Sequence, residues 1–262
     1  MSIHFTSLNS GSNGNCYYVG NDQEAVLIDA GISCRETERR MVRLGLRMSK
    51  VKAIFVSHEH SDHIRGVAVL ARKYQLPVYI TPATLQNCYL RTEAIETISF
   101  LAEEPIQVGD LTITAFSKWH DAADPHSFVV ACQEYKIGVF TDIGRACQNL
   151  MRHFSQCHVA FLEANYCEHL LESGRYPYYL KNRIRGGHGH LSNREALSLF
   201  TTCKPDHMSH VLLSHLSKEN NCPNLVKELF EAQAENTQVI VASRYEETPV
   251  FTLRMAEAAV QI

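Results

Sequence analysis

The sequence of 262 residues predicts an α/β (α+β) fold in which two sheets are sandwiched between helical layers. Short apolar runs rich in Val, Ile, Leu and Phe recur along the chain between turn residues, and they read as buried strands. Amphipathic runs between several of them read as helices. The two halves also repeat one architecture, several strands and then helices, which is the pattern of two sheets packed together under helical cover.

In chain order, Ile3 to Leu8 reads as an opening strand, followed by the turn Asn9-Ser10-Gly11-Ser12-Asn13-Gly14-Asn15 and the strand Cys16 to Val19. A second hairpin leads to the strand Ala25 to Ile28, which ends at Asp29-Ala30-Gly31. Asp29 there reads as a turn or N-cap residue for a helix from Cys34 to Gly45. Val51 to Val56 is a buried strand, Ile64 to Tyr74 a helix, Pro77 to Pro82 a short strand and Ala83 to Leu90 another helix. Strands follow at Ile106 to Val108, Leu111 to Phe116, Ser127 to Ala131, Lys136 to Phe140 and Val159 to Leu162, the first two joined by a Gly109-Asp110 turn. A helix from Arg194 to Thr202, a strand from Val211 to Leu213, an amphipathic helix from Asn224 to Glu235 and a core strand from Val239 to Ala242 complete the series. With no solenoid-period repeat and no low-complexity segment, one domain over 1–262 is expected.

Hydrophobic residues make up 45% and charged residues 20%, ordinary for a globular protein, and a net charge of −3 provides no global basic field. Any nucleic acid must therefore be met by a local patch. No stretch approaches the roughly 20 consecutive apolar residues of a membrane span. The opening Met1-Ser2-Ile3-His4-Phe5-Thr6-Ser7 lacks the charged and apolar regions of a signal peptide. Nine cysteines, without a Cys-x-x-Cys pair, fit reduced thiols in a cytoplasmic protein better than a disulfide framework.

The chemistry centres on Ser57-His58-Glu59-His60-Ser61-Asp62-His63, which follows the strand Val51 to Val56. Neutral imidazoles and an ionised carboxylate are the ligand set of Zn, Fe or Mn. His58 and His60, one residue apart in an extended segment, point to one side and can share a metal, while Asp62-His63 turns away and can serve a second. Other apolar strands also end in ligand-type residues: His120, Asp142 and His215. Two metals about 3.5–4 Å apart need a shared carboxylate and roughly three further ligands each, and Asp142 is the natural bridge.

The set His58-x-His60-x-Asp62-His63, His120, Asp142 and His215, with Asp29 upstream, resembles the metallo-β-lactamase superfamily over nearly the whole chain. The resemblance implies a four-layer αββα sandwich of two mixed sheets flanked by helices, carrying a dinuclear hydrolase site. It implies that His58, His60 and His120 hold one divalent ion and Asp62, His63 and His215 the other, with Asp142 shared and Asp29 orienting the ligand loop. Narrower stretches, Leu8 to Asn15, His120-Asp121-Ala122, Gly174 to Arg185, Gly189-His190-Leu191-Ser192-Asn193 and Ser214 to Asn221, are similar to the YycJ (WalJ) group, which is linked to phosphodiesterase and exonuclease activity on nucleic acid. Pro125-His126 departs from the group's usual pair, which leaves ligation intact and bears on the local strand geometry.

His190 precedes the helix that starts near Asn193, and free amides at a helix N-terminus attract phosphate. The resemblance implies that His190 donates to a non-bridging phosphate oxygen or protonates the leaving oxygen, and Asp62 is expected to orient or deprotonate the attacking water; His190 also reads as a loop histidine bonded to backbone, and His188 as incidental. Arg175, Lys181, Arg183 and Arg185, interleaved with Tyr176, Tyr178 and Tyr179, suit phosphates and stacked bases, and read equally as a solvated loop or a subunit contact of a homo-oligomer. Ser217, Lys218, Asn220 and Asn221 could meet substrate or serve as turn residues.

These readings converge on a cytoplasmic, dinuclear, metal-dependent phosphodiesterase, a DNA exonuclease in which a bridging hydroxide activated by Zn, Mn or Fe attacks phosphorus. The alternatives are hydrolysis of a small cyclic phosphodiester or a thioester, and, from another class, a non-catalytic metal-binding regulatory module.

Overall fold

Fourteen strands divide between two seven-stranded sheets in the computed structural model, which describes residues 2–254. The ends of the expected 1–262 domain, Met1 and 255–262, lie outside the described residues. The first sheet runs β1 (Ser2–Asn9), β2 (Cys16–Gly20), β3 (Ala25–Ile28), β4 (Val51–Phe55), β5 (Val78–Tyr79) and β6 (Thr97–Ile98). The second runs β7 (Pro105–Val108), β8 (Leu111–Ser117), β9 (His126–Cys132), β10 (Tyr135–Phe140), β11 (Val159–Glu163), β12 (His210–Ser214) and β13 (Gln238–Val241), after which β14 (Phe251–Arg254) returns to the first sheet beside β1. Each sheet is mixed: hairpin strands pair antiparallel, and β3–β6 and β10–β13 pair parallel.

The layers follow from what each strand buries. Phe5, Tyr17, Phe55, Phe128 and Phe161 are fully buried between the sheets. The outer face of the first sheet is covered by α1 (Cys34–Arg43) and α3 (Val67–Tyr74), whose Met41, Val67 and Leu70 pack on Leu27, Ile54 and Val78. On the second sheet, α5 (Gln148–Phe154), α8 (Asn193–Cys203) and α9 (Pro223–Glu231) bury Phe154, Phe200 and Phe230 against Phe140, Leu162 and Leu213. This is the expected αββα order. Burying a Phe or Leu in such a layer contributes about 1.5–3 kcal/mol, which explains why strands buried on both faces read as continuous apolar runs.

The expected helix from Ile64 to Tyr74 is two pieces, α2 (Ser61–Ile64) and α3, broken at Gly66. Gly66 N donates to Ala30 O at 2.7 Å, and a Cβ there would lie 2.0 Å from Ile32 O, so close backbone packing overrides helical continuity. The helix expected over Ala83 to Leu90 is only α4 (Pro82–Gln86), and the strand over Pro77 to Pro82 only Val78–Tyr79. Most of the Arg/Tyr segment is helical rather than a loop: it forms α7 (Tyr178–Arg185), which with the preceding α6 (Glu168–Ser173) closes over a small cluster of Tyr166, Leu171 and Ile184. β9 is regular through His126, which pairs with Ser117. All nine cysteines are free.

Candidate metal centre

The ligand-type residues gather where strands of both sheets end. β4 stops at Phe55, so His58 and His60 sit in the loop beyond it rather than on an extended strand. Their rings nonetheless converge: His58 Nε2 lies 3.0 Å from His60 Nδ1, which lies 3.3 Å from His120 Nε2. His58, His60 and His120 form one group whose nitrogens lie within 4.8 Å of one another, and Asp62, His63 and His215 form a second. Asp142 stands between them, 3.0 Å from His63 Nε2, 2.9 Å from His215 Nδ1 and 3.7 Å from His120 Nε2.

The ligand loop is held by backbone and by Asn15. Asn15 N donates to Asp62 O (2.7 Å), Ala30 N to His63 O (2.9 Å), and Asn15 Nδ2 to Asp62 Oδ2 (3.2 Å). Gly31 packs so tightly here that a Cβ would lie 1.6 Å from Asp62 O, which leaves no room for a side chain. The glycine- and amide-rich turn after β1 thus buttresses the loop that presents Asp62 and His63.

Asp29 is not the N-cap of α1; Ser33 takes that position, accepting from Glu36 N. Asp29, fully buried, instead accepts from Ser57 N (2.8 Å), Ser57 Oγ (2.8 Å) and His63 Nδ1 (2.7 Å). Asp29 holds left-handed backbone at φ 59°, with three residues between it and the cap. His63 therefore faces Asp29 with Nδ1 and Asp142 with Nε2. His120 Nδ1 likewise donates to Gly189 O (2.9 Å), and His58 Nδ1 to Ser57 Oγ (2.9 Å), freeing their Nε2 atoms. Outer partners of this kind set tautomer and ring orientation at metal sites.

Burial pushes His58 and His60 below the usual histidine range and His120 down to about 2, so all three rings are neutral, the form that donates to a cation. His63 is raised in spite of burial, by the carboxylates of Asp142 and Asp29. Asp142 is held low, again against burial, by the rings of His215 and His63. Asp142 Oδ2 and His215 Nδ1 are buried with no hydrogen-bond partner among the described residues, although they face each other. Buried polar atoms are ordinarily satisfied, and a divalent cation would satisfy both. The donor set and these two atoms fit a metal site.

Two residues were not singled out from the sequence. Glu163, the last residue of β11 and fully buried, accepts from Ile143 N (2.8 Å), Leu191 N (3.1 Å) and His190 Nδ1 (2.8 Å). Its signal was available, because β11 ends in an acidic residue as other strands end in ligands. Lys118, also buried, donates to Thr141 O (2.7 Å) beside Asp142, and burial lowers its pKa. Glu163, working against burial, raises His190 to about 9. Free amides do not await phosphate at the start of α8: Ser192 and Glu195 form a capping box, and Leu191 N and Asn193 N are taken by Glu163 and Tyr166.

The residues expected to meet substrate are scattered. Arg183 is paired with Asp121, Arg185 with Glu172 (2.9 Å), and Lys181 with Glu172 O. Arg175 is exposed, as are Tyr178 and Tyr179. Asn220 is 1% exposed and bonded to Ser217 Oγ, so it turns inward rather than toward an arriving substrate. Ser217 remains partly open to solvent, beside exposed Lys218.

Comparison with known proteins places the chain in a family and agrees with the fold. The model of the beta-lactamase superfamily domain matches residues 24–215. The exodeoxyribonuclease YycJ of Bacillus anthracis is 34% identical over 230 residues, 87% of this chain and 87% of its own. The exodeoxyribonuclease WalJ of Streptococcus pneumoniae is 32% identical over 230 residues, 86% of each chain. The metallo-beta-lactamase fold protein YhfI from Bacillus subtilis shares the fold at a TM-score of 0.73 with 16% identity, covering 96% of this chain and all of its own.

Proposed function

The chain belongs to the beta-lactamase superfamily as a YycJ/WalJ-like, metal-dependent hydrolase, and we propose that it is a dinuclear phosphodiesterase that degrades nucleic acid, DNA above all, from an end. One observation carries the reading: Asp142 lies within 4 Å of ligand-type nitrogens from both groups of side chains, with His190 bonded to Glu163 beside them. In this reading His58, His60 and His120 hold one divalent ion, Zn, Mn or Fe, and Asp62, His63 and His215 the other. Bound there, the ions supply a water-derived nucleophile at neutral pH and offset charge on the phosphoryl oxygens.

The chain's own residues do the rest. The Asp62 side chain is 17% exposed, the most open of the clustered carboxylates, and can orient an incoming water or take its proton. Asn15 Nδ2 holds one of its oxygens and so fixes the direction of the other. His190 gives its Nδ1 proton to the bond with Glu163 and keeps Nε2 for the leaving oxygen, which it protonates. Trp119, Lys118 and the Gly189 carbonyl wall the His120 side of the cluster.

The relatives named as exodeoxyribonucleases favour a polymer substrate over a small one. No described helix is long and apolar enough to cross a membrane. The test is a panel of single-stranded DNA, duplex DNA, RNA, a small phosphodiester and a thioester, each with Mn or Zn. Stepwise loss of terminal nucleotides from DNA is expected. Turnover of the thioester or a cyclic phosphodiester alone would replace this reading with the small-molecule one, and no turnover of any would leave a metal-binding module.

A further inference from the structure

Three loops converge on the rim of the ligand cluster. Each carries one site residue and, within three positions, one exposed planar side chain: Trp119 beside His120, Arg145 after Asp142, and His188 before His190. The loops are packed backbone to backbone. Gly144 N donates to Trp119 O (2.6 Å), His120 Nδ1 to Gly189 O (2.9 Å), and a Cβ at Gly144 would lie 2.5 Å from Gly187 O. On that support the Arg145 guanidinium lies over the Trp119 ring, 3.8 Å from its centroid, and the His188 ring crosses it at 5.2 Å. Trp119 is 42% exposed. Among the described residues Arg145 has no carboxylate and no hydrogen-bond partner, unlike Arg183 and Arg185 on α7.

We infer that Trp119 and Arg145 form a nucleotide subsite for single-stranded nucleic acid, in which the base next to the scissile phosphate stacks on this planar pair and the guanidinium meets an adjoining phosphate. The inference rests on the nuclease reading and names which part of the substrate is held, and where. An exposed indole accepts any base, because every base has a π-face, and an arginine stacked on it adds positive charge without moving. The faces of a base inside a duplex are covered by its neighbours, so the platform takes an unpaired end. Its place fits the chemistry: Trp119 is joined directly to His120, and Arg145 is three residues from Asp142. A base stacked there leaves its phosphate against the ligand cluster, so the subsite selects polymers over small phosphodiesters.

The chain has one tryptophan, so tryptophan emission, excited at the red edge where tyrosine does not absorb, reports this subsite alone. Titrating the metal-loaded protein with a cleavage-resistant phosphorothioate oligothymidylate is expected to quench that emission saturably, on the curve traced by the anisotropy of a labelled oligonucleotide. Trp119→Ala should lower the ratio of kcat/KM for single-stranded DNA to that for methyl p-nitrophenyl phosphate on the order of tenfold, and Trp119→Phe should restore most of it. Arg145→Ala should lower the same ratio and flatten its salt dependence. Saturated anisotropy without quenching, or a ratio unchanged in Trp119→Ala, overturns the subsite and leaves the nuclease reading standing. A wild-type protein that cleaves no oligonucleotide overturns that reading, and the subsite with it.

Discussion

At the ligand cluster, buried rings and carboxylates from both sheets meet, and the outward-facing nitrogens of His63, His58 and His120 are bonded to Asp29, Ser57 Oγ and Gly189 O. On α7, a short distance along the same rim, the basic side chains are exposed and tied only to neighbouring carboxylates and carbonyls. The first region is over-determined. Asp29, Asp142 and His215 even hold left-handed backbone at φ 59°, 54° and 55°, a cost of about 1 kcal/mol or more each that the surrounding contacts must outweigh. The second region has few constraints, and surface ion pairs there contribute about 0–1 kcal/mol each. In the proposed reading, chemistry is set in the rigid, desolvated place, and substrate contact is left to the surface that can adapt.

The contrast can be broken from the rigid side first. Asp142→Ala and His60→Ala are each expected to abolish metal-dependent cleavage of a DNA oligonucleotide, with metal content lost in proportion; a purified variant that keeps full activity would contradict the two-ion site. His190→Ala should slow turnover by roughly 10²–10⁴-fold while metal content holds, as expected for a lost proton donor. Glu163→Gln should show a smaller defect in the same parameter, because the ring is kept but its partner's charge is gone; a loss of bound metal instead would assign Glu163 to ligation.

Smaller effects sharpen the boundary between the two regions. Asp29→Ala should weaken metal affinity about 10–100-fold, read by competition with a chelator, since His63 and Ser57 lose a shared acceptor. Unchanged affinity would mean the loop is held by Asn15 and Gly31 alone. Replacing Arg183 and Arg185 together by Ala should raise KM for DNA a few-fold more than KM for a small phosphodiester, with little change in kcat. Equal effects on both substrates would remove α7 from the nucleic-acid path.

Much of the site was legible in sequence because its residues follow strand ends. A strand that leaves the core must turn at its end, and a polar residue there costs no core burial, so His58, His120, Asp142 and His215 each announce themselves after an apolar run. Glu163 follows the same rule and was passed over because its chain neighbours carry no ligand. Trp119 and Arg145 were invisible for another reason: their stack joins loops 26 residues apart, brought together by the bond from Gly144 N to Trp119 O.

Local pattern determined the strands other than β6 and β14, the two-sheet class and the ligand-type residues at strand ends, because burial periodicity and donor chemistry are properties of short segments. Tertiary structure alone decided the rest. It broke the helix at Gly66, folded the Arg/Tyr stretch into α7, moved Asp29 from a helix cap to the partner of His63, and filled the α8 N-terminus with its own capping box. Each of these depends on which backbone or side chain arrives from elsewhere to satisfy a buried polar group, and no spacing within one segment carries that information.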